Sequence, residues 1–458
     1  METMDARTYV QELIDRARAA QRIFDEYPQE KVDEAVRAIG KSIYDNGEEL
    51  ARMAVDETGM GVYEDKIVKN KAKAKAVWNK LKGVKSRGII RYIEDQGLVE
   101  VAKPIGVIGA VTPTTNPTMT PMHNAMIALK GGNALIVCPH PRAKKTGVKS
   151  VEYMRQALEA VGAPADLIQI IPEPTLELTS AVMSMCDNCI STGGPSMVKA
   201  AFSSGKPAFG VGAGNVQALI DRDVNMADVV PMLIKGRTYD NGILCTCEQA
   251  AICPTEKYDE MLSLMKASGV YCVEDAAEVG AMRRTMFPTG SINKDVVGAS
   301  AEKIAELAGL NVPEGTRMLL VCVEKSGAEE FLAKEKLCPV QVAYRYDTWE
   351  EAVEIAYRNL LNEGTGHSAV IHSYTKEHIE YAAERLPVSR FAVNQVGSSG
   401  LGGAFNNGLN PTATLGCGSW GNNSISENLW WHHLVNISRI AYIIPDKPVP
   451  TDDEIWGS

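Results

Sequence analysis

Apolar side chains recur at intervals of three and four residues along the first eighty positions of the chain. Val10, Leu13 and Ile14 follow this spacing, and the run from Val32 to Ile43 repeats it. A period near 3.6 residues places such groups on one face of a helix. Residues 8 to 82 are therefore predicted to be helical.

The pattern changes from about residue 100. Short apolar runs rich in Val and Ile alternate there with amphipathic stretches such as "RAKKTGVKSVEYMRQALEAVG" and "TWEEAVEIAYRNLLNEG". This alternation is typical of a mostly parallel sheet covered by helices, so we predict an α/β fold. A change of register near 235 to 240 marks the predicted domain boundary. The apolar runs are "PIGVIGAV", "NALIVCP", "LIQIIP", "NVQALI", "MLLVCVE" and "SAVIHS".

Composition narrows the class of protein. The chain has 458 residues, of which 45% are hydrophobic and 23% charged, and its formal net charge is -10. Its length suits two domains or one large lobed enzyme, and its negative charge makes a nucleic acid a poor partner. The sequence contains no run of eighteen apolar residues and no signal-like start, so we expect no membrane span and a cytoplasmic location. Most of the ten cysteines should be free thiols.

Three glycine-bearing turns are candidates for binding. "STGG" at 191 to 194 precedes a proline suited to the first position of a helix, so its backbone N–H groups could meet a pyrophosphate, although a plain tight turn is the alternative. "FGVGAGN" at 209 to 215 would let backbone approach a ligand closely. "GSSGLGGAFNNG" at 397 to 408 is either a functional loop or a surface linker.

Seven motifs follow one another along the chain, and their order is characteristic of a known family. They are "TPTTNP" at 112, "STGGP" at 191, "GVGAGN" at 210, "YDNGILCTCEQ" at 239, "EKLCP" at 335, "GTGHSAV" at 364 and "TLGCGSWGNNSISEN" at 414. Together they resemble the aldehyde dehydrogenase superfamily, specifically its coenzyme-A-acylating branch, over nearly the whole chain. The resemblance implies a Rossmann-like NAD-binding domain with N-terminal helices in residues 1–238 and an α/β catalytic domain in 239–415. Residues 416–458 would return to the cofactor domain and to an oligomer interface, giving a homodimer or a higher homo-oligomer.

The same resemblance places the catalytic nucleophile on Cys245, and Cys247 is interpreted as packing. A thiolate attacks an aldehyde readily, and the thiohemiacetal it forms can release a hydride to a nicotinamide. The resulting oxyanion needs preorganised donors. The backbone N–H of Cys245 is one candidate, and Thr115 and Asn116 are alternatives for the side-chain donor, because "TPTTNP" departs from the pattern of hydrolytic relatives.

A missing carboxylate indicates which nucleophile receives the acyl group. Hydrolytic aldehyde dehydrogenases carry a Glu that activates the deacylating water, and Gly210 stands at the corresponding position here. A thioester that water does not cleave can wait for the thiol of coenzyme A. A hydrolytic aldehyde dehydrogenase and a non-catalytic structural paralogue are the rival interpretations; the first lacks its carboxylate, and the second would not need to keep the nucleophile.

The resemblance also implies the cofactor contacts. Glu335 matches the carboxylate that holds the nicotinamide ribose in relatives. NAD is favoured over NADP as the cofactor because the acylating branch commonly uses NAD. The adenosine-ribose Lys of hydrolytic relatives falls on Cys138, so that contact must be made differently. The other expected cofactor-binding residues are Thr112, Pro113, Thr114, Ser191, Thr192, Gly193, Gly194, Gly210, Gly212 and Leu337.

His367 matches a histidine near the active site of acylating relatives and is a candidate proton shuttle for the coenzyme A thiol, with a structural role as the alternative. The pair "CDNC" at 186 to 189 has the spacing of one of the two ligand pairs of a zinc site, but no second Cys or His pair lies at a matching distance, so no metal is expected.

The aldehyde substrate is the least constrained part of the prediction. Arg237 and Arg390 could meet an anionic tail; the alternative for Arg237 is a contact with a phosphate of the cofactor or of coenzyme A, and the alternative for Arg390 is a structural role. A small anionic aldehyde is favoured, with sulfoacetaldehyde first and succinate semialdehyde, acetaldehyde and propionaldehyde as alternatives.

Overall fold

The computed structural model describes residues 5–445 and 447–457, and within them the chain forms fifteen strands and sixteen α-helices. The strands are β1 (Gly88–Ile93), β2 (Leu98–Pro104), β3 (Val107–Thr112), β4 (Ala134–Pro139), β5 (Ile168–Ile170), β6 (Asn188–Thr192), β7 (Ala208–Val211), β8 (Val216–Ile220), β9 (Glu248–Pro254), β10 (Val270–Val273), β11 (Met318–Cys322), β12 (Val340–Tyr346), β13 (Ala369–His372), β14 (Phe391–Val393) and β15 (Val435–Ala441). The helices are α1 (Ala6–Asp25), α2 (Gln29–Asp45), α3 (Gly47–Thr58), α4 (Tyr63–Leu81), α5 (Met119–Lys130), α6 (Lys144–Ala160), α7 (Leu176–Met185), α8 (Pro195–Phe202), α9 (Met226–Thr238), α10 (Thr255–Ala267), α11 (Ala276–Met286), α12 (Ala301–Ala308), α13 (Trp349–Asn362), α14 (Lys376–Arg385), α15 (Gly397–Gly400) and α16 (Asp452–Trp456). Across the described residues, no helix is both long and apolar enough to cross a bilayer.

Four helices occupy the region that the hydrophobic period predicts to be helical. In α1 the predicted face, with Val10, Leu13 and Ile14, is buried, and the face opposite is exposed. Asp5 caps the helix by accepting a hydrogen bond from the amide of Thr8. Burial of one apolar stripe is what holds such a helix against its neighbours.

A five-stranded parallel sheet in the order β5-β4-β3-β6-β7 forms the first α/β unit. Every residue of β3 and β4 is buried, because helices cover both faces of the sheet. The carboxyl ends of β3, β4, β6 and β7 lie along one edge. In open parallel sheets this edge is where ligands bind.

A seven-stranded parallel sheet in the order β10-β11-β12-β9-β8-β13-β14 forms the second unit. It corrects the predicted boundary at 238/239: β8 pairs with β9 and β13, and α9 packs on the same unit. The chain therefore crosses between units in the stretch from Val211 to Val216. The sequence signal near 235 to 240 marks the end of α9 and the turn toward β9 instead.

A three-stranded antiparallel sheet, β1-β2-β15, pairs the hairpin that precedes the first α/β unit with a strand near the C-terminus. The segment before β15 contributes Leu429, Trp430 and Leu434 to the core that contains the five-stranded sheet. The C-terminal segment thus packs against the first unit. The hydrophobic pattern did not reveal β1, since most of its residues are exposed.

Candidate active site

Cys245 lies where two cavities meet. A groove of about 280 Å³ runs along the carboxyl ends of the first sheet, and a pocket of about 310 Å³ lies on the opposite side, between α4, α9 and the segment around α15. Among the described residues, Cys245 is the one that lines both. The thiol is only half-buried, whereas Cys247 is fully buried and lines neither cavity.

A strained turn between α9 and β9 presents Cys245. Asp240 and Asn241 adopt positive φ angles of 51° and 53°, a conformation with a steric penalty for residues other than glycine. The buried Asp240 carboxylate holds the turn by accepting from Lys66 at 3.1 Å, from Lys69 at 2.5 Å and from the amide of Val62 at 2.8 Å. Helix α4 therefore determines where the thiol-bearing turn sits.

The electrostatic surroundings of Cys245 favour the protonated thiol. Burial raises the pKa of Cys245, the nearby Glu335 carboxylate raises it further, and Arg390 opposes this shift. A thiolate is the reactive nucleophile. The proton must therefore leave the sulfur in the step that brings the aldehyde to it.

Backbone and small side chains form most of the groove. Its lining includes, of the residues predicted from the sequence, Pro113, Thr114, Thr115, Thr192, Gly193, Gly194, Gly212, Glu335 and Leu337. The "STGG" turn leads from β6 into α8, so backbone N–H groups meet the groove at a helix N-terminus, which suits a pyrophosphate. The hydroxyl of Ser191 is buried beside this turn and has no partner among the described residues. These features fit a dinucleotide.

Glu335 is the one carboxylate that lines the groove in the described part of the chain. Its Oε1 accepts a hydrogen bond from the amide of Gly214 at 2.9 Å, beside the turn that carries Cys245. Burial and the neighbouring Glu363 raise the pKa of Glu335 to about 8. Leu337, two residues on, holds a positive φ of 47° at the groove wall.

Gly210 does not face the groove, contrary to its predicted role in cofactor binding. A Cβ at this position would lie 2.7 Å from Cγ1 of Val198 and 3.1 Å from Cε2 of Phe202, so the position faces α8. Residues Val211, Gly212 and Ala213 line the groove instead. Because none of the three carries a carboxylate, this part of the groove has no counterpart of the water-activating Glu of hydrolytic relatives.

Thr115 and Asn116 take different positions at the groove. Thr115 lines it together with Cys245, whereas Asn116 donates its side-chain amide to the Thr115 hydroxyl at 3.3 Å. The Oδ1 atom of Asn116 is buried without a partner among the described residues. Thr115 is thus the wall residue and Asn116 orients it.

Arg237 and Arg390 are not available to a substrate anion, which corrects the prediction for both. Arg237 is fully buried and donates to backbone carbonyls, including that of Cys338. Arg390 is buried and donates to the carbonyls of His367 and Gly416. Neither side chain lines the groove or the pocket. Both stabilise the backbone around Cys245, a role that linear patterns do not reveal because they carry no information on burial.

His367 is fully buried and lines neither cavity. Its two ring nitrogens have no partner among the described residues, and burial together with Arg390 lowers the pKa of His367 to about 3. The imidazole is therefore neutral at physiological pH. The structure does not bring it together with Cys245 in either cavity.

The pocket contains cationic residues that the sequence did not single out. Lys69, Lys73 and Lys235 line it, with Ser398 and Ser399 on the facing segment. The ammonium of Lys73 donates to the carbonyl of Gly402 at 2.9 Å, and burial lowers the pKa of Lys73 to about 8. No carboxylate lines the pocket in the described residues. Lys73 therefore carries a positive charge at neutral pH that no pocket carboxylate neutralises.

Glu248, three residues after Cys245, connects the Cys245 turn to a segment that lines the pocket. Its buried carboxyl accepts from the amide of Gly397 at 2.6 Å, at the start of the segment that carries Ser398 and Ser399. Burial raises the pKa of Glu248 to about 7. Gly236 on α9 leaves the space that this carboxyl occupies, because a Cβ there would lie 2.0 Å from its Oε2.

Replacing Gly236 by alanine is expected to lower the free energy of unfolding by about 1 to 3 kcal/mol, since the added methyl group must displace the buried carboxyl of Glu248. Thermal or urea unfolding measures the change. Gly280→Ala is the matched control, because its Cβ would meet only the end of the Arg284 side chain, at 3.3 Å, within a helix. Equal stability of the two variants would contradict the close packing inferred at Gly236.

Comparison with known proteins identifies the class. The model of the aldehyde dehydrogenase family matches residues 3–409. An acetylating succinate-semialdehyde dehydrogenase of Clostridium kluyveri is 49% identical over 454 residues, covering 99% of this chain and 100% of that protein. A sulfoacetaldehyde dehydrogenase of an Acholeplasma species is 41% identical, covering 97% of this chain and 93% of that protein. A propionaldehyde dehydrogenase of Rhodopseudomonas palustris, solved with bound CoA and an acylated cysteine, has a TM-score of 0.85 and 27% identity over 94% of this chain and 96% of its own.

The chain therefore belongs to the aldehyde dehydrogenase family. Within the family it is a coenzyme-A-acylating aldehyde dehydrogenase, an oxidoreductase that uses NAD(P) and coenzyme A. The predicted fold class and reaction class are confirmed.

Proposed function

We propose that Cys245 is the nucleophile of this acylating reaction. We also propose that the aldehyde binds in the pocket and the dinucleotide in the groove. The supporting observation is that Cys245 is shared by the groove and the pocket. An aldehyde in the pocket would meet the sulfur from one side, and a nicotinamide in the groove, which supplies hydride acceptance when bound, would lie on the other. Attack by the sulfur gives a thiohemiacetal, loss of hydride gives a thioester, and the thiol of coenzyme A then takes the acyl group and restores Cys245.

The chain's own groups would stabilise the charge that develops. The backbone N–H of Cys245 and the Thr115 side chain on the groove wall are the proposed donors to the oxyanion, with Asn116 orienting Thr115. Glu335 is the proposed partner of the nicotinamide ribose, and Ser191 to Gly194 would meet the pyrophosphate. The absence of a second carboxylate among the described groove residues supports transfer to coenzyme A over hydrolysis.

For the substrate we propose a short aldehyde with an anionic tail. The cationic pocket supports it, because Lys73 faces a site where no described residue supplies a carboxylate. Relatives named for succinate semialdehyde and for sulfoacetaldehyde share this chemistry. The chain is 49% identical to the relative named for succinate semialdehyde and 41% identical to the one named for sulfoacetaldehyde, which favours succinate semialdehyde as the substrate. The sequence motifs alone favour sulfoacetaldehyde.

Reduced cofactor formation should separate these candidates. Succinate semialdehyde, sulfoacetaldehyde, propionaldehyde and acetaldehyde are each assayed with and without coenzyme A. We expect turnover to require coenzyme A and kcat/KM to be highest for one of the two anionic aldehydes. A preference for the neutral aldehydes would refute the anionic substrate, and equal turnover without coenzyme A would show that water reaches the thioester.

A homodimer or higher homo-oligomer is also proposed. Strand β15 is an edge of the three-stranded sheet, and the chain after it exposes Tyr442, Ile443 and Val449. An open strand edge with apolar neighbours is a surface on which a second subunit can pair. Light scattering in solution measures the assembly.

A further inference from the structure

A carboxylate and two imidazoles converge in the segment that leads into β15. The Nε2 atom of His433 lies 3.1 Å from Oε1 of Glu427, and Nε2 of His432 lies 3.7 Å from the same oxygen. The possible ligand atoms of the three residues all lie within 4.8 Å of one another. None of these side chains lines the groove or the pocket, so the cluster is separate from the candidate active site.

The backbone that carries the cluster is anchored on both sides. The amide of Gly416 donates to the carbonyl of Glu427 at 3.1 Å. His432 and His433 are the middle residues of a short 3₁₀ turn whose first and last residues are buried in the core of the first unit. An ion would therefore meet ligands whose backbone is already held in place, which lowers the cost of ordering them on binding.

The orientation of the two rings suits metal ligands. Nδ1 of His433 lies 3.0 Å from the amide nitrogen of Trp430 and 3.2 Å from its carbonyl oxygen. When a metal takes Nε2, the ring proton resides on Nδ1 and can be donated to this carbonyl, the arrangement that commonly fixes a ligating histidine. The ring centroids of His432 and His433 are 4.0 Å apart, although adjacent residues of a helical turn usually point away from each other.

The ligand types favour a first-row transition metal. Two imidazoles and one carboxylate suit Zn²⁺, whereas Ca²⁺ and Mg²⁺ take mainly oxygen ligands. A tetrahedral zinc ion with bonds of about 2.1 Å places its ligand atoms roughly 3.4 Å apart. The separations of 3.1 and 3.7 Å lie on either side of this value. Glu427 and His432 are exposed, so the ion can enter from solvent and water can complete its coordination.

We propose that Glu427, His432 and His433 bind a zinc ion. The ring of His433 lies 6.0 Å from that of Phe209 on β7, the outer strand of the five-stranded sheet, so the ion would hold the segment before β15 beside this edge. These ligands are distinct from the cysteine pair at 186 to 189. The proposal is independent of the proposed function, because it involves neither cavity.

Zinc binding to the Cys245→Ala protein tests the proposal, since this background removes the half-buried thiol that lines both cavities. Isothermal titration calorimetry with Zn²⁺ gives the affinity of this parent protein and of the same protein with Glu427→Gln, His432→Gln or His378→Gln. His378→Gln is the matched control, because it also removes a partly exposed imidazole beside a carboxylate, but one outside any three-ligand cluster of the described residues.

We expect an affinity at least about tenfold weaker in Glu427→Gln and in His432→Gln, because loss of a ligand costs no less than loss of an outer hydrogen-bond partner. The His378→Gln control should bind as the parent does. Unfolding midpoints measured with a chelator show that each variant is folded, and added zinc should raise the midpoint only in the parent and the control.

Cobalt identifies the ligand atoms, because thiolate ligands give Co²⁺ a charge-transfer absorption that imidazole and carboxylate ligands do not. We expect Co²⁺ bound to the parent to lack this absorption. Three results would each overturn the proposal: no zinc binding to the parent, an unchanged affinity in either ligand variant, or sulfur ligation in the cobalt spectrum.

Discussion

Cys245→Ala is expected to lower the rate of acyl-coenzyme A formation by about four orders of magnitude, because removal of a covalent nucleophile leaves only binding and electrostatic stabilisation. The loss should fall on kcat, while binding of the dinucleotide in the groove persists. Stopped-flow and steady-state measurement of the reduced cofactor give the rates. Intact-mass spectrometry after incubation with succinyl-coenzyme A should show one acyl group on the wild type and none on the variant.

Cys247→Ala is the matched control, since the second thiol stands two residues away, is fully buried and lines neither cavity. We expect it to keep its activity within about threefold and to take up one acyl group. An acylated Cys245→Ala protein, or a Cys247→Ala protein that is inactive yet folded, would move the nucleophile to the second sulfur.

The sequence predicts most of the strands correctly because they depend on local patterns, and the proposal of Cys245 as the nucleophile rests on a local motif as well. The apolar runs predicted β3, β4, β8, β11 and β13, since a buried parallel strand is apolar on both faces. The motif around Cys245 favours this thiol over Cys247 as the proposed nucleophile. The exposed strand β1 offered no such signal, and the domain crossing before β8 was missed because nothing local distinguishes a strand of one sheet from a strand of the next.

The sequence motifs do not predict the direction or the burial of several candidate side chains. Gly210 lies within β7 and faces α8, whereas Gly212 follows the end of the strand at Val211 and lines the groove, a difference that the motif does not reveal. Arg237 and Arg390 have the residue type of an anion site, but their guanidinium groups are satisfied by backbone carbonyls. Tertiary contacts therefore decide whether such a residue binds substrate or holds the backbone.

The position of Lys73 on α4 is a signal that the sequence contains. Lys66, Lys69 and Lys73 are spaced by three and four residues on α4, the spacing of its buried face, whereas Lys75 is exposed. Lysines at positions where the helical period calls for apolar residues are costly to bury without a partner. Asp240 supplies that partner for the first two, and the open pocket leaves Lys73 for a ligand.

Lys73→Met is expected to lower kcat/KM for the anionic aldehyde about a hundredfold and for butanal less than about threefold, because a hydrogen bond to a charged group is worth roughly 1.5 to 3 kcal/mol in a partly buried site. Lys75→Met, an exposed lysine on the same helix, is the control and should change neither value. Steady-state assays with both aldehydes measure the ratio, which cancels any effect on the chemistry of Cys245.

The pH dependence of that same ratio provides an independent check. The protonated ammonium binds the anion, and the pKa of Lys73 is about 8 in the free enzyme, so the preference for the anionic aldehyde should be complete below this value and decline as the pH rises through it. The ratio should be flat with pH in Lys73→Met. If instead both aldehydes lose activity equally in that variant, Lys73 acts by anchoring Gly402 through its 2.9 Å hydrogen bond, and the recognition of an anionic tail must come from another group in the pocket.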